Sequence, residues 1–419
     1  MIKKINNKKI FLFLFNILYI HLKKNRKERK SKMIETNNFK TKTIFLSRKN
    51  ETVTNYNQIA LDIGYSSTKG FGPRMVFCFP SFVKKLNAGG LLSLSVPSPD
   101  DILYKDLVTN EIWAVGKLAI DLISPDEANI STTELYGRNR YSSPQFLIPA
   151  KVGMAFALLG ANNNAPVHLQ TGLPPKYIND AKDLKENLTG HYDFAIKQGT
   201  KPWTEFHFDL DSENIDIMPQ PKGTLFSLIY DNMGHKSANA NSILNSRLLI
   251  ADGGFGTFDL FNINNIEIDG YETLTEFGME KVLEATANEI SKKYDGIELP
   301  VPVMQQNLKS GTFRYYKREN GKMVTKDEPF GDILEECSNK ICDEAIAKMC
   351  SLYKDMIYHN YLVITGGTGE AWFTRINSYF STVQTLNCVK GTQNDTLPSI
   401  FSNVRGYYMF QLNLLRRRK

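Results

Sequence analysis

Residues 248–261 read LLIADGGFGTFDLF, and residues 59–70 read IALDIGYSSTKG. Both run apolar, apolar, any residue, Asp, any residue, Gly, then small or polar residues and an apolar exit. Each predicts a buried strand that stops at an aspartate, turns tightly and returns as a second strand. Two such units about 190 residues apart suggest an internal duplication, with one unit in each of two similar lobes. A third glycine turn, YLVITGGTGEAW (residues 361–372), leaves a strand and is expected to open a helix at Glu370 or Ala371.

The residue types in these turns point to phosphate chemistry. Gly64 permits a sharp turn, and Tyr65, Ser66 and Ser67 offer N–H and hydroxyl donors to phosphate oxygens, with Lys69 as a point charge. Gly253, Gly254 and Gly256 let the backbone approach a triphosphate closely, and Thr257 adds a hydroxyl. Asp62 and Asp252 stand at equivalent strand ends and would repel each other if brought face to face. Mg²⁺ held through water relieves that repulsion. Gly366, Gly367 and Thr368 leave room for a flat base and ribose at a helix N-terminus. No G-x-x-x-x-G-K-[ST] motif is present, and no glycine motif fits dinucleotide binding, so both of those nucleotide folds are excluded.

Composition fits a globular chain: 419 residues, 42% hydrophobic and 23% charged, enough for two or three domains. Residues 1–50 carry a net +13 and the rest −6, or −10 without Arg416, Arg417, Arg418 and Lys419. The folded body is therefore acidic, and direct nucleic-acid binding is not expected. Five cysteines in no C-x-x-C pair read as reduced, packed thiols, three of them on one helix around residues 331–356. Residues 10–20 are apolar between lysine clusters, too short for a span and without a small-residue cleavage site. Residues 1–50 are expected to be a disordered basic tail, or to precede a natural start at Met33; a surface-lying anchor is the alternative. A cytoplasmic protein is expected.

Strands alternate with helices from residue 57 onward, which predicts an α/β fold. A helix is expected over residues 144–159, a polar hinge over 239–246, a loose stretch over 298–328, a long helix over 330–358 and a closing helix within 398–415. The expected domains are a first lobe over 51–243, completed by a C-terminal helix at 402–419, and a second lobe over 244–401.

In order and spacing the three turns resemble the actin/Hsp70/sugar-kinase ATPase superfamily, and within it the bacterial actin-like plasmid-segregation proteins of the ParM type. QTGLPPKYI (170–178), IDIMPQPKGTLFSL (215–228), FGMEKVLEATANEI (277–290) and NVRGYYMF (403–410) support the likeness. The resemblance implies two lobes built on RNase-H-like mixed sheets flanked by helices, with Mg-ATP, or GTP, in the cleft between them. It implies a polar homopolymer filament, slow hydrolysis, and a small DNA-binding adaptor on a plasmid centromere. It assigns metal and water-positioning roles to Asp62 and Asp252. Gly64, Ser66, Ser67, Lys69, Gly254, Gly256 and Thr257 match phosphate contacts, and Gly278, Gly366, Gly367 and Thr368 the nucleoside slot. Where the ParM pattern has a catalytic glutamate, this chain has Gln220, as actin does. A neutral amide orients water but is a weak proton acceptor, so slow turnover is expected. A small-molecule kinase of the same superfamily, or a filament with a cell-shape or other positioning role, are the alternatives.

Overall fold

The computed structural model describes residues 36–87, 97–122, 140–162, 165–294 and 297–417. The first lobe's main sheet contains Ile44–Ser47 (β1), Asn57–Ile63 (β2), Ser67–Phe71 (β3), Met75–Pro80 (β4), Val167–Leu173 (β5) and Ile215–Pro219 (β6). Their order is β1-β4-β3-β2-β5-β6. The second lobe contains Arg247–Gly253 (β7), Phe258–Asn264 (β8), Glu267–Leu274 (β9), Tyr361–Thr365 (β10) and Asn387–Lys390 (β11), in the order β9-β8-β7-β10-β11.

Apart from the added edge strand β1, the two sheets have one topology. In each, three antiparallel strands are followed by a strand that pairs in parallel with the first of the three and by a last strand that pairs in parallel with that one. The duplication suggested by the two aspartate-bearing segments thus extends to the whole sheet. The central strands β2 and β5 are buried along their length because helices cover both faces, which is why they read as apolar runs without clean alternation. A second five-stranded sheet in the first lobe joins Val83–Leu86, Ile102–Asp106, Ile112–Val115, Gly190–Gln198 and Thr204–Leu210.

Six longer helices clothe the sheets: Pro144–Leu158 (α1), Gln220–Ile229 (α2), Met279–Lys293 (α3), Gly331–Tyr353 (α4), Gly367–Phe380 (α5) and Ser402–Arg417 (α6). Met279, Val282, Leu283, Ala287 and Ile290 form the buried stripe of α3, at the expected helical spacing. The closing helix α6 packs on α2, β2 and β5, so the end of the chain returns to the first lobe. Its Tyr407 and Leu412 share a core with Leu225 of α2 and with Ile250 and Val363 of the second lobe. This core joins the two sheets beneath the cleft.

Three expectations are corrected. Residues 298–328 are ordered: a short helix, Val301–Asn307, precedes a hairpin of Thr312–Glu319 and Lys322–Pro329. Asn320 and Gly321 turn that hairpin with φ of 51° and 78°, the backbone that an Asn-Gly pair favours. The polar stretch 239–246 contains a short helix, Ala240–Leu244, because Ala240 and Ile243 reach the core. Residues 36–50 are not a tail. They form a 3₁₀ turn, Thr36–Phe39, and strand β1, whose partners on β4 satisfy its backbone; residues 1–35 lie outside the described set.

Helices α2 and α6 approach through glycine. A Cβ on Gly406 would lie 1.7 Å from the Gly223 carbonyl oxygen, which is backbone and cannot swing away. Gly406→Ala is expected to cost roughly 3 kcal/mol or more, read as a lowered urea midpoint with an unchanged slope.

Candidate functional site

The two aspartate-bearing hairpins turn in the same way. The Gly64 N–H donates to the Ser67 carbonyl at 3.1 Å, and the Gly254 N–H donates to the Thr257 carbonyl at 2.8 Å. Register pairs Asp62 with Lys69 on one side of the cleft and Asp252 with Asp259 on the other. The turns face each other across a cavity of about 640 Å³ lined by both, by Gln220 and by Gly366.

Asp62 is 3% exposed and lies at the floor of this cavity. Lys69 Nζ reaches Asp62 Oδ2 at 3.3 Å, and Gln220 Nε2 donates to Asp62 Oδ1 at 3.3 Å. Gln220 opens α2 directly after Pro219, so the helix start fixes its side chain toward the carboxylate rather than in a linker. Asp252 accepts from Asn403 Nδ2 at 3.4 Å. Burial pushes its carboxyl up to about 7, reinforced by the Asp259 and Asp62 charges and opposed by Lys69 and the Asn403 amide. Burial also raises Asp259, although the Thr257 hydroxyl bonds it at 2.7 Å. Lys69 is held above its usual range: burial opposes its charge, but Asp62 and Asp252 outweigh that cost. Asp62 and Asp252 therefore share one ammonium, with Asp259 beside Asp252.

The third turn ties into the second. Gly366 has φ +80°, and a Cβ there would sit 2.2 Å from the Gly253 carbonyl oxygen and 2.5 Å from Asp252 Oδ1. The helix starts at Gly367, three residues before the expected position, because this left-handed glycine turns the chain at once. Thr368 donates its hydroxyl to the Gly254 carbonyl at 2.6 Å. Two assigned glycines serve packing and do not line the cavities described here. A Cβ on Gly278 would meet the Phe255 carbonyl oxygen at 2.3 Å, and one on Gly253 the Gly369 nitrogen at 2.5 Å. Tyr65, Ser66, Gly256 and Thr257 line the large cavity, while Ser67, Gly367 and Thr368 line a smaller recess beside it.

Sequence reading missed several participants. Asn403 lies within a segment quoted for family likeness, yet nothing local marks it as the partner of Asp252. Asp259 and Glu280 line the cavity from the second lobe. Arg140 stacks 4.1 Å above the Tyr65 ring and donates to the Ile63 carbonyl at 2.6 Å, walling the first turn from outside. The alternation at Asp252 and Asp259, paired across one hairpin, was the available signal for the second acid.

The donor set fits a hydrated divalent cation. Among the described residues no three His, Cys, Asp or Glu side chains enclose a metal ion by themselves. Asp252 and Asp259 nevertheless both line the open cavity, and an ion such as Mg²⁺ takes much of its shell from water and phosphate. The Tyr407 hydroxyl, buried near both Asp62 and Asp252, has no protein hydrogen-bond partner among the described residues.

Comparison with known proteins agrees with this geometry. Residues 60–223 match the family model described as the N-terminal domain of actin-like proteins. Comparison with curated proteins returns no significant match. Similar solved structures include a 15-stranded ParM filament from Clostridium botulinum, 21% identical with a TM-score of 0.58, covering 85% of this chain and 99% of that one. The actin-like protein Alp7A is 14% identical with a TM-score of 0.61, covering 87% and 98%. Ta0583, an archaeal actin homolog in complex with ADP, is 16% identical with a TM-score of 0.57, covering 86% and 99%. At these identities the structures establish an actin-like fold, and the resemblance to ParM and other bacterial actin-like proteins read from the sequence is borne out. Among the described residues no helix is long and apolar enough to cross a membrane.

Because its folded pKa lies above that of an unfolded aspartate, Asp252 supports the cation-free fold at low pH, and that support is lost as pH rises from about 4 to about 7. In chelator, Asp252→Asn is expected to remove this part of the slope and raise stability at pH 8 by on the order of a few kcal/mol, read by chemical denaturation across pH.

Proposed function

From an actin-like fold whose residues 60–223 carry the actin-like N-terminal domain, we propose that this chain is a Mg-ATP-dependent filament protein that hydrolyses ATP after assembly. The observation that carries the reading is the pair of matching hairpins that set Asp62 and Asp252 across one cavity of about 640 Å³. Such a cleft lies in the size range of ligand sites and is lined from both lobes.

In this reading the 64–67 turn and the 254–257 turn grip opposite sides of the triphosphate with backbone N–H groups, the Ser66 and Thr257 hydroxyls and Lys69. Gly366, Gly367 and Thr368 bound the nucleoside side. Asp62 and Asp252 would hold Mg²⁺ through water, and the ion would neutralise phosphate charge when bound with the nucleotide. Gln220, held against Asp62, orients water toward the terminal phosphate. Its amide cannot take a full proton, so turnover is slow and the ATP state of a filament is long-lived. GTP offers the same phosphates.

Assembly is proposed from the likeness to a solved ParM filament. A force-generating role in plasmid segregation, through a small adaptor bound to centromere DNA, is the form of that function proposed here. The acidic body of the chain, −10 without residues 1–50 and the four basic residues at the C-terminus, supports an adaptor rather than direct DNA contact. A small-molecule kinase would want a further carboxylate base in the first lobe. Asp62 is the acid the first lobe contributes to the cavity lining, and Asp259 and Glu280 belong to the second.

Purified protein is expected to scatter light and pellet on addition of Mg-ATP. Asp252→Ala is expected to slow phosphate release at least about tenfold and to prolong the scattering plateau. Phosphorylation of a sugar without assembly would replace this function with the kinase reading.

A further inference from the structure

Residues 36–50 run from one lobe to the other past the mouth of the cleft. On the second lobe, Thr36 donates its hydroxyl to the Leu308 carbonyl at 2.7 Å, and the half-buried Phe39 ring packs on the core. The 3₁₀ turn they form lies against α5, the helix opened by the third glycine turn. On the first lobe the attachment is broader. Strand β1 pairs with β4 over four residues, Phe45 packs 4.9 Å from Phe156, and the Asn50 side chain donates to the Gly72 carbonyl at 2.6 Å. Past the strand, Arg48 bonds Asp395, in the segment that leads from the second lobe into α6, at 2.9 Å, the same carboxylate that Arg405 of α6 reaches at 3.2 Å.

Between these anchors, residues 39–42 line a recess bounded by Gly366, Gly367 and Thr368 of the third turn and, on its other sides, by Ser67, Lys69 and Asp252. The space left there is about 110 Å³, against roughly 300 Å³ at the low end for ligand pockets. The adjoining phosphate half, with about 640 Å³, stays open. A base and ribose therefore do not fit within this recess while the segment lies there. The second-lobe end is also the weaker one, a hydroxyl bond and one half-buried ring against a strand ladder, so it is the end that opens first. Lys40 adds to this bias. Burial holds its ammonium below the usual range, the Lys117 and Lys309 charges push the same way, and Asp121 restores part of the loss.

We propose that residues 36–42 are a releasable strap that occupies the nucleoside half of the cleft, so that the chain's own N-terminal segment competes in cis with the base and ribose of the nucleotide. The inference rests on the nucleotide reading of the cleft given above. Nucleotide entry lifts the strap from the second lobe while β1 keeps it tethered to the first.

The test is equilibrium binding of fluorescent ATP, with Mg²⁺, to the full chain and to Phe39→Ala and Thr36→Val variants. Neither change alters a residue of the three turns, and thermal melts confirm that each variant folds. Both variants are expected to bind at least tenfold more tightly than the unaltered chain. Binding of equal or lower affinity in variants that fold, with measurable binding by the unaltered chain, would overturn the strap and leave the nucleotide site intact. No binding by any of the three would overturn both.

Discussion

Two aspartates that share one lysine, with a third carboxylate beside them, are the constraint around which this molecule is arranged. Asp62 pairs with Lys69 and Gln220, while Asp252 and Asp259 stand side by side with an amide and a hydroxyl for company. Buried like charges cost several kcal/mol unless a cation joins them or one of them takes a proton. The Asp252 carboxyl, pushed up to about 7, shows that cost in the chain on its own. A fold that sets these acids at the ends of its two central hairpins gives up stability at a cleft, which is the pattern expected where a ligand supplies the missing charge.

The rest of the structure serves that placement. One sheet topology, used twice, puts each aspartate at the exit of a buried strand, and glycine is retained where backbone must touch backbone. Gly366 lies over Gly253, Gly278 under Phe255, and Gly406 against Gly223. The first joins the second and third turns, the second seats the start of α3 against the second turn, and the last seats α6 so that Asn403 reaches both Asp252 and Thr224. The C-terminal helix is thus part of the site's support as well as part of the first lobe.

Much of this was legible in the sequence, for physical reasons. Buried strands read as short apolar runs, α1 as a helix apolar on all sides and α3 as an amphipathic stripe, so β2, β5, β7, α1 and α3 were readable, and the repeated Asp-x-Gly frame located both turns. What could not be read depends on contacts distant along the chain. Nothing near residue 403 reveals a carboxylate 151 residues away. Gly278 looks like a ligand-approach glycine until its neighbour proves to be the Phe255 backbone. Residues 36–50 are basic and polar enough to read as a tail, yet an edge strand needs little apolar content when its partner supplies the hydrogen bonds. The Asn320-Gly321 pair carries a hairpin signal, but the charged strands on either side do not alternate in hydropathy, so the stretch reads as loose.

The most direct measurement is calorimetric titration of the full chain with ATP, in Mg²⁺ and in chelator. The account predicts one ATP per chain, with affinity at least tenfold weaker in chelator and Mg²⁺ dependence lost in Asp252→Ala. ATP binding indifferent to both Mg²⁺ and Asp252, or no binding at any concentration, would contradict it.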